Sequence, residues 1–252
     1  MIVIKFGGHA MDGNSRMWMT EIANRFKAGE KIVIVHGGGP QIDGELKVRG
    51  IERKSVGGFR VTTPEVMRVV EMVLTGTVLR SVVRSLISVG LPAVGITGSD
   101  SRLLEVDLKD YEKLGLVGKV SKVNPKILHD LLDMGYLPVV SPVADDALGQ
   151  ALNINADIAA GAIAGALRAS QMLFMTDVAG IYSNWPDKSS LISEITVDEL
   201  KRMQFSDGMA PKVEAAVNAV SSGAASSRIF DGTSIEAFID ALENKGGTWV
   251  KA

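Results

Sequence analysis

Met1-Ile2-Val3-Ile4-Lys5-Phe6-Gly7-Gly8 and Lys31-Ile32-Val33-Ile34-Val35-His36-Gly37-Gly38-Gly39-Pro40 share one grammar. In each, a short apolar run reads as a strand and ends in consecutive glycines. Glycine lets the backbone come close to an anion, and successive N–H groups there form an anion-binding concavity. Two such loops on neighbouring strands suit a phosphoryl group held between two chemical partners. Neither loop has the Gly-x-x-x-x-Gly-Lys-Ser/Thr or Gly-x-Gly-x-x-Gly spacing, so the two familiar nucleotide signatures are absent.

Working outward from these strands, helical and extended patterns alternate along the whole chain. Ser15–Lys27 reads as a helix, and residues 40–49 as a second one with Pro40 in its first turn. Residues 51–61, with Gly57-Gly58, read as a hairpin. Thr62-Thr63-Pro64 opens a long helical region to Ser88, with a break expected near Gly76. Further strands are expected at Ala93–Thr97, Leu137–Ser141, 172–176, 228–230 and 248–250. Short strands and turns fill 103–123, Asn124-Pro125 caps a helix to Met134, and 144–152 reads as a polar hairpin or loop. Helices are expected at 156–167, at 211–223 with Pro at its start and Gly at its end, and at Ile235–Leu242. Alternating βα units predict an α/β sandwich around a mostly parallel sheet. No linker or low-complexity tract interrupts it, so one domain with two lobes, about 1–150 and 151–252, is expected.

Composition narrows the function. The chain has 252 residues, with 27 Lys and Arg against 29 Asp and Glu and no Cys. Balanced charge without a basic stretch interleaved with aromatics argues against nucleic acid. Absent cysteine excludes disulfides and thiolate metal sites and fits a reducing compartment. Neither an export signal nor a run of membrane-spanning length is visible, so a soluble, cytoplasmic protein is expected.

Four elements carry candidate chemistry. Lys5 ends an apolar strand, where burial is costly unless the ammonium meets an anion or snorkels to the surface. Lys212 sits in the first turn of a helix, against the dipole, which a bound phosphate would explain. Asn153-Ile154-Asn155-Ala156-Asp157 combines a good N-cap with two polar residues that capping only partly accounts for. Gly57-Gly58-Phe59-Arg60 puts an arginine on a glycine hairpin, suited to a carboxylate or to an ordinary salt bridge. His9, His36 and His129 lack metal-ligand spacing, and no serine nucleophile elbow occurs.

These elements, in this order, resemble the amino acid kinase family, and within it the kinases of N-acetyl-L-glutamate. The likeness runs over essentially the whole chain. It includes Gly58-Phe59-Arg60-Val61-Thr62, Ala93-Val94-Gly95-Ile96-Thr97-Gly98 and Gly135-Tyr136-Leu137-Pro138-Val139-Val140-Ser141. It continues through Thr176-Asp177-Val178-Ala179-Gly180-Ile181 and Asp207-Gly208-Met209-Ala210-Pro211-Lys212. His9 stands where relatives often have asparagine, and Ser99-Asp100-Ser101 replaces a more usual Lys-Asp-Gly.

The resemblance implies a three-layer α/β/α fold and transfer of the ATP γ-phosphoryl group to a side-chain carboxylate, in arginine biosynthesis. By the same resemblance Lys5, Lys212, Asp157 and Gly8 are catalytic, and Gly38, Gly39, Arg60 and Asn153 bind the amino acid. ATP would lie over Thr176, Asp177, Val178, Ala179, Gly180, Ile181, Tyr182 and Met209, with Mg²⁺ carried mainly by ATP rather than by protein ligands. A kinase for a carrier-linked glutamate or aminoadipate, or an inactive nucleotide-binding sensor, is the alternative. Residues 66–74 are apolar on most of their circumference, which predicts a homodimer built partly on that helix. Arginine-inhibited hexamers of the family carry an extra N-terminal helix, and only Met1 to Ile4 precede Lys5, so indifference to L-arginine is expected.

Overall fold

The computed structural model describes residues 1–7, 15–205 and 209–252. In chain order, β1 (Ile2–Phe6), α1 (Ser15–Lys27), β2 (Ile32–His36) and α2 (Gly39–Val48) lead to the hairpin β3 (Ser55–Val56) and β4 (Phe59–Arg60). Helix α3 (Pro64–Glu71) passes through a π-helical stretch (Met72–Val78) into α4 (Leu79–Ser88). Next come β5 (Ala93–Thr97), β6 (Leu104–Leu108), the single turn α5 (Tyr111–Leu114), β7 (Gly118–Val123), α6 (Lys126–Asp133) and β8 (Leu137–Ser141). The hairpin β9 (Val143–Asp145) and β10 (Ala151–Asn153) precedes α7 (Ala156–Ala166) and β11 (Gln171–Thr176). The chain finishes with β12 (Glu194–Thr196), α8 (Val197–Leu200), α9 (Ala210–Ser221), β13 (Ser226–Asp231), α10 (Ile235–Leu242) and β14 (Thr248–Lys251).

One eight-stranded sheet organises the molecule, in the order β12-β14-β13-β11-β1-β2-β8-β5. Every pairing is parallel except β13 with β14. Strands β1, β2, β8 and β11 are buried along their whole length. Their near-continuous Val, Ile and Leu content is what a parallel sheet covered on both faces requires. Helices α7 and α9 lie over β1, β11 and β13, while α1 packs beside α4 and α10 in the other layer. The mostly parallel three-layer sandwich is the one expected.

Two details depart from the sequence reading. The helix to Ser88 is not broken at Gly76; it widens into the π-helical stretch and continues. Strand β12 and helix α8 were not anticipated, because Glu194–Thr196 is only three residues long and its helix only four. A capping box of Thr196 with Glu199 starts that helix and is its one sequence signal.

Helices α7 and α9 approach closely because α7 is built of Ala and Gly. A Cβ on Gly161 would lie 2.5 Å from the Ala215 carbonyl oxygen, and one on Gly165 would lie 2.6 Å from Ser222 Cβ. This contact sets the spacing between the first turns of the two helices, where Asp157 and Lys212 stand. Gly161→Ala gains about 1 kcal/mol of helix propensity, but its clash is with main chain, and overpacking costs about 1–3 kcal/mol. We expect net destabilisation in urea denaturation, whereas Gly44→Ala, on α2 with open space around it, stabilises by ~0.5 kcal/mol.

Candidate active site

A cavity of about 290 Å³ opens at the carboxyl ends of β1 and β2. In open parallel sheets this edge is where ligands bind. Lys5, the Gly37–Gly39 loop, Arg60, Asn153 and Asp157 all line the cavity, together with Arg53, Phe59, Leu74 and Val117. Residues separated by more than a hundred positions in sequence thus meet in one place.

Asp157 organises the interior. Asn155 caps α7 by accepting the N–H groups of Asp157 and Ile158, which turns Asp157 into the first helical turn. Its carboxylate lies 3.0 Å from Lys5 Nζ through Oδ1 and 3.6 Å from Lys212 Nζ through Oδ2. Burial alone would raise its pKa, but the charges of Lys5 and then Lys212, and their hydrogen bonds, hold it below the usual carboxylate range. Lys5 and Asp157 are both buried, whereas Lys212 retains some exposure. Two ammonium groups on one carboxylate leave one positive charge in surplus.

The glycine loop is fixed by its own backbone and by His36. Gly37 N–H donates to Phe6 C=O at 2.8 Å, tying the loop to β1. Gly38 precedes α2 and touches the π-helical stretch, where a Cβ would come 2.6 Å from Leu74 Cδ2. A side chain at Gly38 would therefore have to push Leu74 aside. Pro40 lies in the first turn of α2, so its missing N–H costs nothing.

Arg60 and Asn153 are held by partners that sequence reading missed. Arg60 Nη1 forms an ion pair with Asp43 Oδ1 at 2.5 Å, and its Nη2 donates to Gly39 C=O at 3.3 Å. Buried Thr62 donates its hydroxyl to Arg60 C=O at 2.8 Å and accepts from Asn153 Nδ2 at 3.0 Å. Asn153 has spent a donor, and its Oδ1 remains as an acceptor. Thr62 was visible as the last residue of the Gly58–Thr62 motif; Asp43 carried no signal beyond lying three residues after Pro40.

The expected nucleotide segment lies apart from this cavity. Thr176 is buried, its hydroxyl bonded to Val178 and Phe230 carbonyls. Ile181 is in the core, and its N–H donates to Thr248 Oγ1. Gly180 is packed against Thr248. Side chains or backbone of Asp177, Val178, Ala179, Tyr182 and Met209 remain at least partly accessible. Gly8, Asp207 and Gly208 lie outside the described residues. Among the described residues, no three His, Cys, Asp or Glu side chains cluster as a metal site, and no helix is long and apolar enough to cross a membrane.

With this geometry in place, the comparisons with known proteins are specific. The amino acid kinase family model matches residues 1–231, and the chain belongs to that family. It is 47% identical over 248 residues to the acetylglutamate kinase of Arthrobacter sp. (strain FB24), spanning 92% of this chain and 80% of the relative. It is 43% identical over 262 residues to that of Archaeoglobus fulgidus, spanning 98% and 90%. Among solved structures, smu.665 from Streptococcus mutans UA159 superposes with a TM-score of 0.86 at 28% identity, covering 100% of this chain and 98% of that one. The carbamate kinase of Giardia lamblia bound to AMP-PNP, at a TM-score of 0.76 and 22% identity, covers 99% and 97% and shares the fold.

His36 supplies a test of the loop. Its Nδ1–H donates to Gly37 C=O at 2.7 Å, since a carbonyl can only accept, and Nε2 is buried without a hydrogen-bond partner among the described residues. Burial lowers its pKa to about 4, against the Gly37 bond and with help from Arg80. The unfolded imidazole takes up a proton near its ordinary pKa of 6.5, whereas the folded one waits until about 4. Between those values the unfolded state binds more protons, so this contribution is full above pH 6.5 and shrinks as pH falls, by on the order of 1–3 kcal/mol. The stability advantage of wild type over His36→Asn should therefore narrow between pH 6.5 and 4 in urea titrations. A constant advantage would contradict a neutral, buried His36.

Proposed function

We propose that this chain is an acetylglutamate kinase, transferring the γ-phosphoryl group of ATP to the side-chain carboxylate of N-acetyl-L-glutamate. One observation carries the reading: a single cavity joins Lys5 and Asp157, the latter paired behind it with Lys212, to a glycine loop, a held arginine and an amide acceptor. The identity to curated acetylglutamate kinases gives the substrate its name.

The chemistry suits this inventory. A carboxylate oxygen attacks the γ-phosphorus, the bond to the β,γ-bridging oxygen breaks, and ADP departs with its electron pair. The attacking carboxylate has a pKa of about 4.3 and is ionised at neutral pH, so no general base is needed. The protein must instead relieve repulsion between two anions and align them. Lys5 and Lys212 neutralise the transferring group, Asp157 holds both ammonium groups, and backbone N–H groups of Gly8 and Gly38 meet its oxygens. Asp157 is already paired with a lysine on each carboxylate oxygen, so Mg²⁺ would be held mainly by the phosphates of ATP, whose charge it would screen.

For the amino acid, Arg60 faces the α-carboxylate, and the free Asn153 Oδ1 accepts the acetamido N–H. Leu74, Phe59 and Val117 give the acetyl group apolar walls. ATP lies over the second half of the chain, around Asp177–Ala179, Tyr182 and Met209, which makes residues 1–150 and 151–252 an amino-acid lobe and a nucleotide lobe. The place of the enzyme is arginine biosynthesis, in the cytoplasm.

A homodimer fits the surface, although α3 contributes less than its sequence suggests. Its Val66, Met67, Val69 and Val70 are buried within the protomer itself. The open edge of the sheet at β5, half-buried throughout, with Met72 and Ile87 exposed on the adjoining helices, is the face a second copy would cover.

ADP release should be strong with N-acetyl-L-glutamate and near background with glutamate or aspartate offered separately. Lys212→Ala should lower kcat by at least about a hundredfold with the acetylglutamate KM within a few-fold, because its charge matters most in the transition state. A drop in kcat below about tenfold would remove Lys212 from the chemistry.

A further inference from the structure

The recognition end of the cavity holds an arrangement that mirrors the catalytic one. Asp43, on α2, receives Arg60 Nη1 on Oδ1 at 2.5 Å and Arg53 Nη1 on Oδ2 at 3.0 Å. Both guanidinium groups line the cavity, Arg60 from within and Arg53 from its exposed rim. Asp43 and Arg60 by themselves are a neutral pair, and a neutral pair has no net attraction for a carboxylate. Arg53 restores one positive charge.

We infer that Arg53 is a specificity-determining residue: with Arg60 and Asp43 it forms a cationic clamp that selects substrates bearing an α-carboxylate in addition to the one that is phosphorylated. Asp43 is the positioning residue, orienting the two guanidinium groups by one oxygen each. Two sets of two cations on one carboxylate thus meet the cavity, Lys5–Asp157–Lys212 through Lys5 and Asp157, and Arg53–Asp43–Arg60 through its two guanidinium groups. Each carries a surplus of one positive charge, and a dicarboxylate satisfies both. Planar guanidinium groups match a carboxylate as a fork, whereas ammonium groups meet phosphate oxygens as point charges. The inference rests on the proposed kinase reading and adds to it a residue that lies on a strand-free segment before the β3–β4 hairpin.

The competing account is that Asp43 merely staples α2 to the hairpin. Substrates separate the two. N-acetyl-L-glutamate and 4-acetamidobutanoate differ only by the α-carboxylate, and Arg53 is exposed enough for Arg53→Met to leave the core untouched. The ratio of kcat/KM for the dicarboxylate over the monocarboxylate should fall about tenfold in Arg53→Met, through KM of the dicarboxylate, with the ATP KM within about twofold. Arg53→Lys should recover part of the ratio by returning the charge. The wild-type KM for the dicarboxylate should also rise more steeply with added NaCl than that of Arg53→Met. A ratio within about twofold of wild type, or equal losses on both substrates, would overturn the assignment while leaving the kinase reading intact. Wild-type protein that neither turns over nor binds N-acetyl-L-glutamate in calorimetry would overturn both.

Discussion

A buried carboxylate between two ammonium groups is the constraint on which the rest of this structure depends. Asp157 is almost wholly shielded from water, and its charge is tolerable because Lys5 and Lys212 reach it from a strand and from a second helix. Removing one member of such a buried set typically costs about 3–5 kcal/mol, since the remainder is left uncompensated. The same arrangement therefore ties β1, α7 and α9 together and leaves a positive charge pointing at the cavity. In the proposed mechanism, stability and reactivity draw on this one interaction, with Asp157 holding both lysines beside the transferring group.

That interaction needs backbone geometry that side chains would obstruct. Gly161 and Gly165 let α7 and α9 approach until their first turns share Asp157 and Lys212. Gly38 lets the glycine loop lie against Leu74 of the π-helical stretch, and both residues line the cavity. π-Helical turns inside α-helices recur at functional sites. Leu74 belongs to this stretch and lines the cavity. Small residues and one irregular turn thus set positions that the charged residues exploit.

How far the sequence revealed this depends on range. Strands β1 and β5 and helices α1 and α10 were readable to the residue, because buried strands and amphipathic helices write their period locally. Lys5, Arg60, Asn153 and Asp157 were readable as residues out of place for a purely structural role, and the cavity does gather them. What the sequence could not express were partnerships across the fold. Arg60 read as suited to a carboxylate or to a salt bridge, but its salt-bridge partner Asp43, seventeen residues earlier, could not be named. Thr62 looked like a helix lead-in, yet its hydroxyl orients Asn153 from ninety-one positions away. Thr176 and Ile181 stand in the segment that the family resemblance gives to the nucleotide, and their side chains are buried in the core, which only packing decides.

The central claim is that Asp157 acts through the two lysines, and a double-mutant cycle on kcat addresses it directly. Asp157→Asn, Lys212→Ala and the double variant would be assayed at saturating ATP and N-acetyl-L-glutamate. Groups that work as a unit are strongly non-additive, so the double variant should turn over within about tenfold of Lys212→Ala alone. Losses that multiply, placing the double variant at the product of the two single effects, would show Asp157 and Lys212 acting independently and would contradict the account.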